Sequence, residues 1–318
     1  MALIELAPPN NRAAESVGGG AAALGVDEPV SHKGSSKRAT ARAKAAGSDA
    51  VRASGSVGGH VLLTIVSFVS LAPVVWMYLT SIQPEANIFN PTRLLSVTAE
   101  NYQTVFSQLQ VPTLFANTVT MALLVALGQL ITSLLAAYAL ARWNFRGQSL
   151  LFLAFIASWL VPFQVTMLPN YVLLSHLGLL NSLGGIIIPQ LSSAYAVILL
   201  RQHLKSFPTE LLDAAQIDGR SSWATLWRVV VPNMAPSIAA LGILLFISAW
   251  NEYFWPFLIF RDPAKSVLQL GIQPFLGAES LDYGALMAVS GLACLPILIV
   301  YLVFQRRVVN AFVRSGLK

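Results

Sequence analysis

Six apolar stretches, separated by shorter polar segments, follow one another between residues 61 and 304. They are residues 61–80, 114–141, 149–169, 183–200, 234–260 and 284–304. A helix needs about 20 apolar residues to cross the ~30 Å hydrocarbon core of a bilayer, and each stretch is close to that length or longer. Because an open strand in lipid would leave backbone amides and carbonyls unpaired, the pattern predicts helices. We therefore expect an all-α fold, a polytopic membrane protein with six transmembrane helices.

The composition agrees with a membrane protein. Of the 318 residues, 55% are hydrophobic and 11% are charged, whereas an ordinary soluble domain has roughly 25% charged residues. So few charges cannot cover a water-facing surface, and the remaining surface has to face lipid.

No metal site is predicted, because Cys294 is single and the four histidines, His32, His60, His176 and His203, are scattered along the chain.

The lysine and arginine residues predict the orientation in the membrane. With the N-terminus in the cytoplasm, seventeen of the twenty lie on the cytoplasmic side. The far side then holds only Arg93, Arg261 and Lys265. Since cytoplasmic flanks of membrane helices carry an excess of positive charge, both termini are expected in the cytoplasm. The same asymmetry accounts for the formal net charge of +6, so no nucleic-acid partner is expected.

The first 56 residues differ from the rest of the chain. Alanine, glycine and serine dominate them, and residues 31–52 are basic with few bulky side chains. Such a segment cannot bury enough apolar surface to fold, which predicts a disordered basic cytoplasmic tail over residues 1–56. Residues 57–318 are expected to form the transmembrane domain. Weak attraction of the tail to anionic lipid is the alternative to a merely solvated segment.

The cytoplasmic loop between the fourth and fifth spans has a helical pattern of its own. Pro208 suits a first helical turn, and Glu210 and Asp213 follow where the helix dipole favours negative charge. Gly219 is expected to end this helix. A second helical pattern carries Trp223, Leu226, Trp227 and Val230 on one stripe and ends at Pro232. The loop is either a docking element for a partner or a structural elbow lying in the membrane interface.

The residues of this loop resemble a known motif. Permease subunits of binding-protein-dependent ABC importers carry Glu-Ala-Ala, three residues, Gly, nine residues, Ile, one residue and Leu-Pro. This chain has Asp213-Ala214-Ala215, then Gly219, then Val229-Val230-Val231-Pro232 at the same spacing. It departs by Asp for Glu and by Val for Ile and Leu, and the Asp side chain is one methylene shorter. Over about residues 60–318 the chain is similar to this family.

Further segments resemble the carbohydrate branch of the family, in particular the second permease of maltose-type and glycerol-3-phosphate-type systems. They are Asn101-Tyr102, residues 136–142, Phe145-Arg146-Gly147, Val161-Pro162, Ile217-Asp218-Gly219 and Trp250-Asn251-Glu252. The resemblance implies the type I ABC importer fold in a bacterial inner membrane. It also implies four kinds of partner: a second permease subunit, two ATP-binding subunits, an extracytoplasmic solute-binding protein and a carbohydrate solute.

On this resemblance the first helix of the loop is a coupling helix that contacts an ATPase subunit. Its contact residues are expected to be Glu210, Asp213, Ala214, Ala215, Asp218 and Gly219. The chain has no Gly-x-x-x-x-Gly-Lys-Ser/Thr segment, so it lacks the usual phosphate-binding loop of an ATPase. It is therefore not expected to be an enzyme or to bind a cofactor itself, and ATP would be hydrolysed by the partner subunits.

Polar residues inside apolar spans are candidates for the solute path. They are Gln164, Asn170, Gln190, Ser192, Ser193, Asn251 and Glu252, and Glu252 is the only charged residue within a predicted span. Pro162 and Pro189 are expected to kink their spans and free backbone carbonyls. The alternative for most of these polar residues is that they join helices to each other. For Glu252 the alternatives are solute contact and a structural or gating role.

Other functions remain open at this point. A glycerol-3-phosphate or glycerophosphodiester importer fits the same motifs, although no basic residue lies in the spans, which favours a neutral sugar. A secondary transporter driven by an ion gradient would usually show more intramembrane charges and an internal repeat. An intramembrane enzyme would need a catalytic constellation at membrane depth. A membrane scaffold would have no need of the motif spacing in the loop.

Overall fold

A computed structural model describes residues 33–90, 96–262, 265–277 and 281–316, with side chains between residues 57 and 305 of these ranges. The chain divides into two compact units, residues 1–68 and residues 69–318. Every regular element in the described ranges is a helix. For this part of the chain the predicted all-α fold is confirmed.

In the first unit the backbone is helical from Lys33 onward, where helix α1, Lys33–Ser81, begins. Residues 33–56 have a helical backbone and residues 1–32 lie outside the described ranges, so the disordered tail expected over residues 1–56 stays a prediction. Alanine, arginine and lysine are frequent there, and their high helix propensity favours a helix even without an apolar face. The division of the chain at residue 56 stays a prediction.

The second unit holds the remaining helices. In chain order they are α2 Glu100–Gln108, α3 Val111–Arg142, α4 Gln148–Leu160, α5 Phe163–His176, α6 Leu183–Ile187, α7 Ala194–Lys205, α8 Thr209–Ile217, α9 Ser222–Thr225, α10 Val231–Asn233, α11 Ala235–Trp250, α12 Phe254–Ile259 and α13 Tyr283–Gly316. Short 3-10 turns occur at Glu85–Asn87, Ile188–Gln190 and Leu268–Phe275, and a π turn occurs at Leu226–Val230.

Five of the predicted spans occur as apolar helical segments long enough to cross a membrane. They are Val57–Ser81, Val111–Arg142, Leu183–Lys205, Ala235–Ile259 and Tyr283–Gln305. The fourth predicted span consists of α6, the 3-10 turn containing Pro189, and α7. The fifth is interrupted between α11 and α12. Both interruptions lie beside polar residues that the sequence marks as candidates for the solute path.

The third predicted span, residues 149–169, is not one continuous helix. Helices α4 and α5 meet at a bend of 93°, and the second helix continues to His176. Val161 and Pro162 between them have extended backbone, with ψ of 120° and 135°. Proline lacks an amide N–H and disfavours the helical conformation of the residue before it, which explains the break. With the bent pair counted as one crossing, the described part of the chain has six helical segments long and apolar enough to be the six expected spans.

Helix α3 is the central element of the second unit. Near its start Leu114 packs with α2, the 3-10 turn at residues 268–275 and the beginning of α13. In its middle Met121 packs against a cluster that includes Trp250 and Trp255. Towards its end Ala137 packs with residues of α7 and of the π turn. The same helix therefore contacts the core of the unit along its length and ends beside the loop that resembles a coupling element.

Candidate functional site

The loop between the fourth and fifth spans is ordered and begins with a short helix. Pro208 is the N-cap residue of α8, just outside the helix, where the sequence placed it in the first turn. Glu210 lies in the first turn, where its carboxylate is favoured by the helix dipole. The predicted first helix of the loop is therefore present, with its bounds at Thr209 and Ile217.

Gly219 ends this helix, as the sequence predicts. Its φ of +70° lies in the left-handed region, where a side chain at Cβ would be strained. The Gly219 amide donates to the carbonyl of Gln216 (3.0 Å), and the Arg220 amide donates to the carbonyl of Ala215 (3.0 Å). These two bonds form a Schellman motif, which satisfies carbonyls that the last turn would otherwise leave unpaired. The turn that follows α8 is therefore sharply defined.

One face of α8 is exposed along its whole length. Glu210, Asp213, Ala214 and Ile217 are all exposed, and their spacing of three and four residues places them on one side of the helix. We call these four residues the docking stripe. Asp218 and Gly219 are exposed just beyond it. The stripe is accessible to a partner because nothing in the described part of the chain covers it.

Ala215 departs from the expected surface. Its side chain is 3% exposed and faces into the chain, so the accessible surface contains one alanine of the pair and not both. Leu212, which packs against the cluster at the end of α3, lies on the same inner side. The reason is the helical period, since residues 212 and 215 occur three positions apart on the face opposite the docking stripe. Ala215 thus belongs to the inner face of α8, which packs against the rest of the chain.

Ile217 is a member of the docking stripe that was not among the contact residues expected from the sequence. Its side chain is 87% exposed, the largest exposure among the described large hydrophobic residues. A fully exposed isoleucine at the end of a helix gains nothing from burial in this chain, and such a residue is a candidate for burial by a partner. The signal was available in the sequence, because Ile217 follows Glu210, Asp213 and Ala214 at helical spacing.

The second half of the loop is wound differently from the prediction. Leu226 and Val230 are buried, whereas Trp223 is 62% exposed and Trp227 is also exposed, so the four do not share one stripe. The π turn at Leu226–Val230 explains this, because its wider hydrogen-bonded turn separates the two pairs. The indole rings of Trp223 and Trp227 form an edge-to-face pair with centroids 5.6 Å apart.

Two hydrogen bonds tie the loop to the end of α3. The Arg142 guanidinium donates to the Gln216 side-chain oxygen (2.9 Å), and the Tyr138 hydroxyl donates to the Ser222 carbonyl (3.3 Å). One bond holds α8 and the other holds the start of α9. The loop is therefore connected to the helix that runs through the core of the unit.

The candidates for the solute path lie at or near the helix breaks. Gln164 follows the bend at Pro162, Gln190 and Ser193 flank the break between α6 and α7, and Asn251 and Glu252 lie between α11 and α12. Helix breaks expose backbone polar groups, and in membrane proteins these are tolerated where they line a cavity or are paired within the protein. The polar residues and the breaks thus occur together.

Most of these side chains are paired with backbone. The Gln190 amide donates to the Ile186 carbonyl (3.2 Å), and the Ser193 hydroxyl accepts from the Ala196 amide (3.3 Å). The Asn251 amide donates to the carbonyl of Ile247 (3.0 Å), four residues earlier. Such bonds are local and typical of helix ends, and none of the three joins one helix to another, so solute contact by these three residues stays a prediction.

Gln164 and Asn170 differ from the others. Gln164 is exposed and Asn170 is half-buried, and neither side chain forms a hydrogen bond with the described part of the chain. Ser192 is exposed between the two halves of the fourth span. Within the described ranges, these three keep their polar atoms available to a solute or a partner.

Glu252 has a defined local role. Its side-chain oxygen accepts a hydrogen bond from the Trp255 amide (3.1 Å) at the start of α12. This bond satisfies one of the free amides that every helix start leaves unpaired. The carboxylate therefore caps the second half of the fifth span, which supports the structural alternative for this residue.

The described residues contain no group of three or more His, Cys, Asp or Glu side chains that could hold a metal ion.

The architecture defines a class of protein: an α-helical membrane protein with a short helix, a glycine turn and a second helix between two spans. Residues 129–314 match the family described as the binding-protein-dependent transport system inner membrane component. The chain belongs to this family.

Relatives match over most of their length. The arabinooligosaccharides transport system permease protein AraQ of Halalkalibacterium halodurans is 30% identical over 270 residues, covering 81% of this chain and 96% of that protein. The lactose transport system permease protein LacG of Rhizobium radiobacter is 30% identical over 257 residues, covering 80% and 94%. A chain in the crystal structure of a bacterial ABC transporter involved in the import of the acidic polysaccharide alginate is similar, with a TM-score of 0.69 and 26% identity over 79% of this chain and 95% of that one.

Proposed function

We propose that this chain is a permease subunit of an ATP-driven importer for carbohydrate and that α8 is its coupling helix. The observation that carries this proposal is the docking stripe, an exposed helical face ended by a Schellman motif at Gly219. Membership of the binding-protein-dependent family and the similarity to sugar permeases support the importer and the class of solute.

The partners follow from the same reasoning. A second permease subunit completes the path, two ATP-binding subunits hydrolyse ATP, and a solute-binding protein delivers solute from outside. This chain binds no cofactor of its own. The excess of lysine and arginine on one side supports an orientation with both termini and the docking stripe in the cytoplasm of a bacterial cell, where ATP-binding subunits are available.

The mechanism is mechanical transmission. When the ATP-binding subunits close, they displace α8, and the bonds from Arg142 to Gln216 and from Tyr138 to Ser222 pass the displacement to α3. Because α3 packs against three clusters of the core, the spans around it move with it as a rigid group. The path then switches between inward-open and outward-open states.

Reconstitution tests this function. The chain is placed in liposomes with its second permease and ATP-binding subunits, ATP is enclosed on the side of the docking stripe, and the cognate solute-binding protein is added on the other side. We expect uptake of an oligosaccharide or disaccharide that requires ATP and the binding protein. Uptake by liposomes that lack the ATP-binding subunits would overturn the proposal, and uptake of glycerol 3-phosphate instead of sugar would change the class of solute.

Substitutions of Glu252 separate its capping role from solute contact. Glu252→Gln keeps an oxygen that accepts from the Trp255 amide, so we expect wild-type uptake and an unchanged unfolding temperature. Glu252→Ala removes the cap and is expected to lower the free energy of unfolding by about 1 kcal/mol. Uptake and thermal unfolding are measured on both variants. Loss of uptake by the Gln variant at unchanged stability would instead place the negative charge in the solute path.

A further inference from the structure

A polar cleft lies on the inner side of α8, opposite the docking stripe. It has a volume of about 440 Å³ and is enclosed by the end of α3 and by the turn between α8 and α9. Its walls include Arg142, Trp143, Leu212, Gln216, Arg220 and Ser221. Small-molecule sites typically measure about 300–1,000 Å³, so the cleft has room for a small organic ligand. We propose that it binds a phosphate-bearing organic anion.

The charge of the cleft carries the proposal. Two guanidinium groups, those of Arg142 and Arg220, contribute to its walls, and no Asp or Glu is among its lining residues. The carboxylates of α8, Glu210 and Asp213, lie on the exposed docking stripe on the other side of the helix. Within the described chain the cleft therefore has an excess of positive charge, which favours an anion between the two arginines.

The hydrogen-bonding capacity is that of a phosphate site. The Arg142 guanidinium donates to Gln216 and also interacts with the Tyr138 hydroxyl, which leaves part of its five N–H donors for a ligand. The Arg220 side chain donates no hydrogen bond within the described part of the chain. The Ser221 hydroxyl accepts from the Ala224 amide (3.3 Å), so its own hydrogen is available to donate. Several donors converging from different elements suit a group with several acceptor oxygens, and the planar guanidinium matches phosphate in particular.

The rest of the wall suits an organic body. The Trp143 ring is 45% exposed and stands edge-to-face against Tyr138, with centroids 5.6 Å apart. Leu212 adds an aliphatic surface beside it. An amphipathic ring next to a charged head is a common way to hold a sugar or glycerol group that carries a phosphate. The chemistry fits two sources, a soluble sugar phosphate and the headgroup of an anionic lipid.

The location gives the site a regulatory role, which rests on the proposed function of α8. A ligand held by Arg142 on α3 and by Arg220 after α8 bridges the coupling helix and the span that it moves. Occupancy would add to a connection that is otherwise made by two hydrogen bonds and by the packing of Leu212. The bound anion would therefore change how closely ATP hydrolysis is coupled to movement of the spans.

Binding is tested on the assembled transporter in nanodiscs of phosphatidylcholine, titrated with glucose 6-phosphate and with inorganic phosphate by calorimetry. A second set of nanodiscs contains phosphatidylglycerol, and lipid retained by the transporter is measured by native mass spectrometry. The variants are Arg220→Gln, which changes an exposed side chain, and Arg142→Gln combined with it. Arg228→Gln is the matched control, since Arg228 is exposed in the same loop but does not line the cleft.

We expect one of the probes to bind, and the double variant to weaken binding at least about tenfold while Arg228→Gln leaves it unchanged. Arginine-dependent binding of glucose 6-phosphate identifies a soluble ligand, and arginine-dependent retention of phosphatidylglycerol identifies a lipid headgroup. No arginine-dependent binding of any probe, or an equal loss with Arg228→Gln, would overturn the proposal. Neither readout requires transport, so failure of the cleft and failure of the coupling role are distinguishable.

Discussion

Replacing Gly219 with valine is expected to lower solute uptake at least about tenfold without preventing membrane insertion of the subunit. Gly219 has a φ of +70°, and a left-handed conformation costs an L-residue roughly 1–2 kcal/mol, more for a β-branched side chain. No heavy atom lies within 4 Å of the position of a Cβ at this residue, so the effect comes from backbone strain and not from a clash. Valine relieves the strain by leaving the Schellman motif, and α8 then loses its fixed end.

Two controls separate this effect from general instability. Gly219→Asn should retain most of the uptake, because asparagine tolerates the left-handed region better than other residues with a side chain. Gly178→Val creates the same strain elsewhere, since Gly178 has a φ of +68° and also has no heavy atom within 4 Å of its Cβ position. It lies in the loop between the third and fourth spans and should lower uptake less. Normal uptake by Gly219→Val would argue against a coupling role for this turn.

Ile217→Asp is expected to reduce the retention of the ATP-binding subunits on the purified permease pair at least about tenfold. An isoleucine that becomes buried at an interface contributes about 1.5–3 kcal/mol, and an aspartate there would also have to lose its water. Within this chain the substitution should be nearly neutral, because an 87% exposed side chain makes little contact and surface changes usually stay within about 0.5 kcal/mol.

The matched variant is Ile217→Val, which keeps a branched aliphatic surface and should retain the ATP-binding subunits nearly as well as the wild type. Retention is measured by affinity purification through a tag on this chain, together with the thermal unfolding of the isolated permease pair. If Ile217→Asp retained the ATP-binding subunits at the wild-type level, Ile217 would lie outside the contact surface and the docking stripe would end at Ala214.

Most of the fold could be predicted from the sequence because lipid imposes a strong local rule. A continuous apolar stretch of sufficient length has few alternatives to a helix, and five spans were located in this way. The third span shows where the rule is insufficient. Pro162 marked a kink, but the bend of 93° and the continuation of the helix to His176 depend on packing of α5 against other elements.

The candidate site shows the same division. The helix, its acidic first turn and its glycine end could be predicted, since each depends on residues within one or two turns of the chain. Burial could not be predicted with the same accuracy. Residues 214 and 215 are both alanine, so their side chains are identical. Ala214 is nevertheless exposed, whereas Ala215 is buried against the rest of the chain.

The sequence by itself determined the class of protein, the location of its spans and the position of the loop for which we propose the coupling role. These properties follow from local composition and spacing, on which the hydrophobic effect and helix geometry act directly. The tertiary structure alone decided which face of α8 is accessible. It also decided that, in the second half of the loop, Trp223 is exposed whereas Leu226 is buried. It also brought Arg142 and Arg220, 78 positions apart in the chain, to one cleft. Those arrangements depend on contacts between distant segments, which no local pattern encodes.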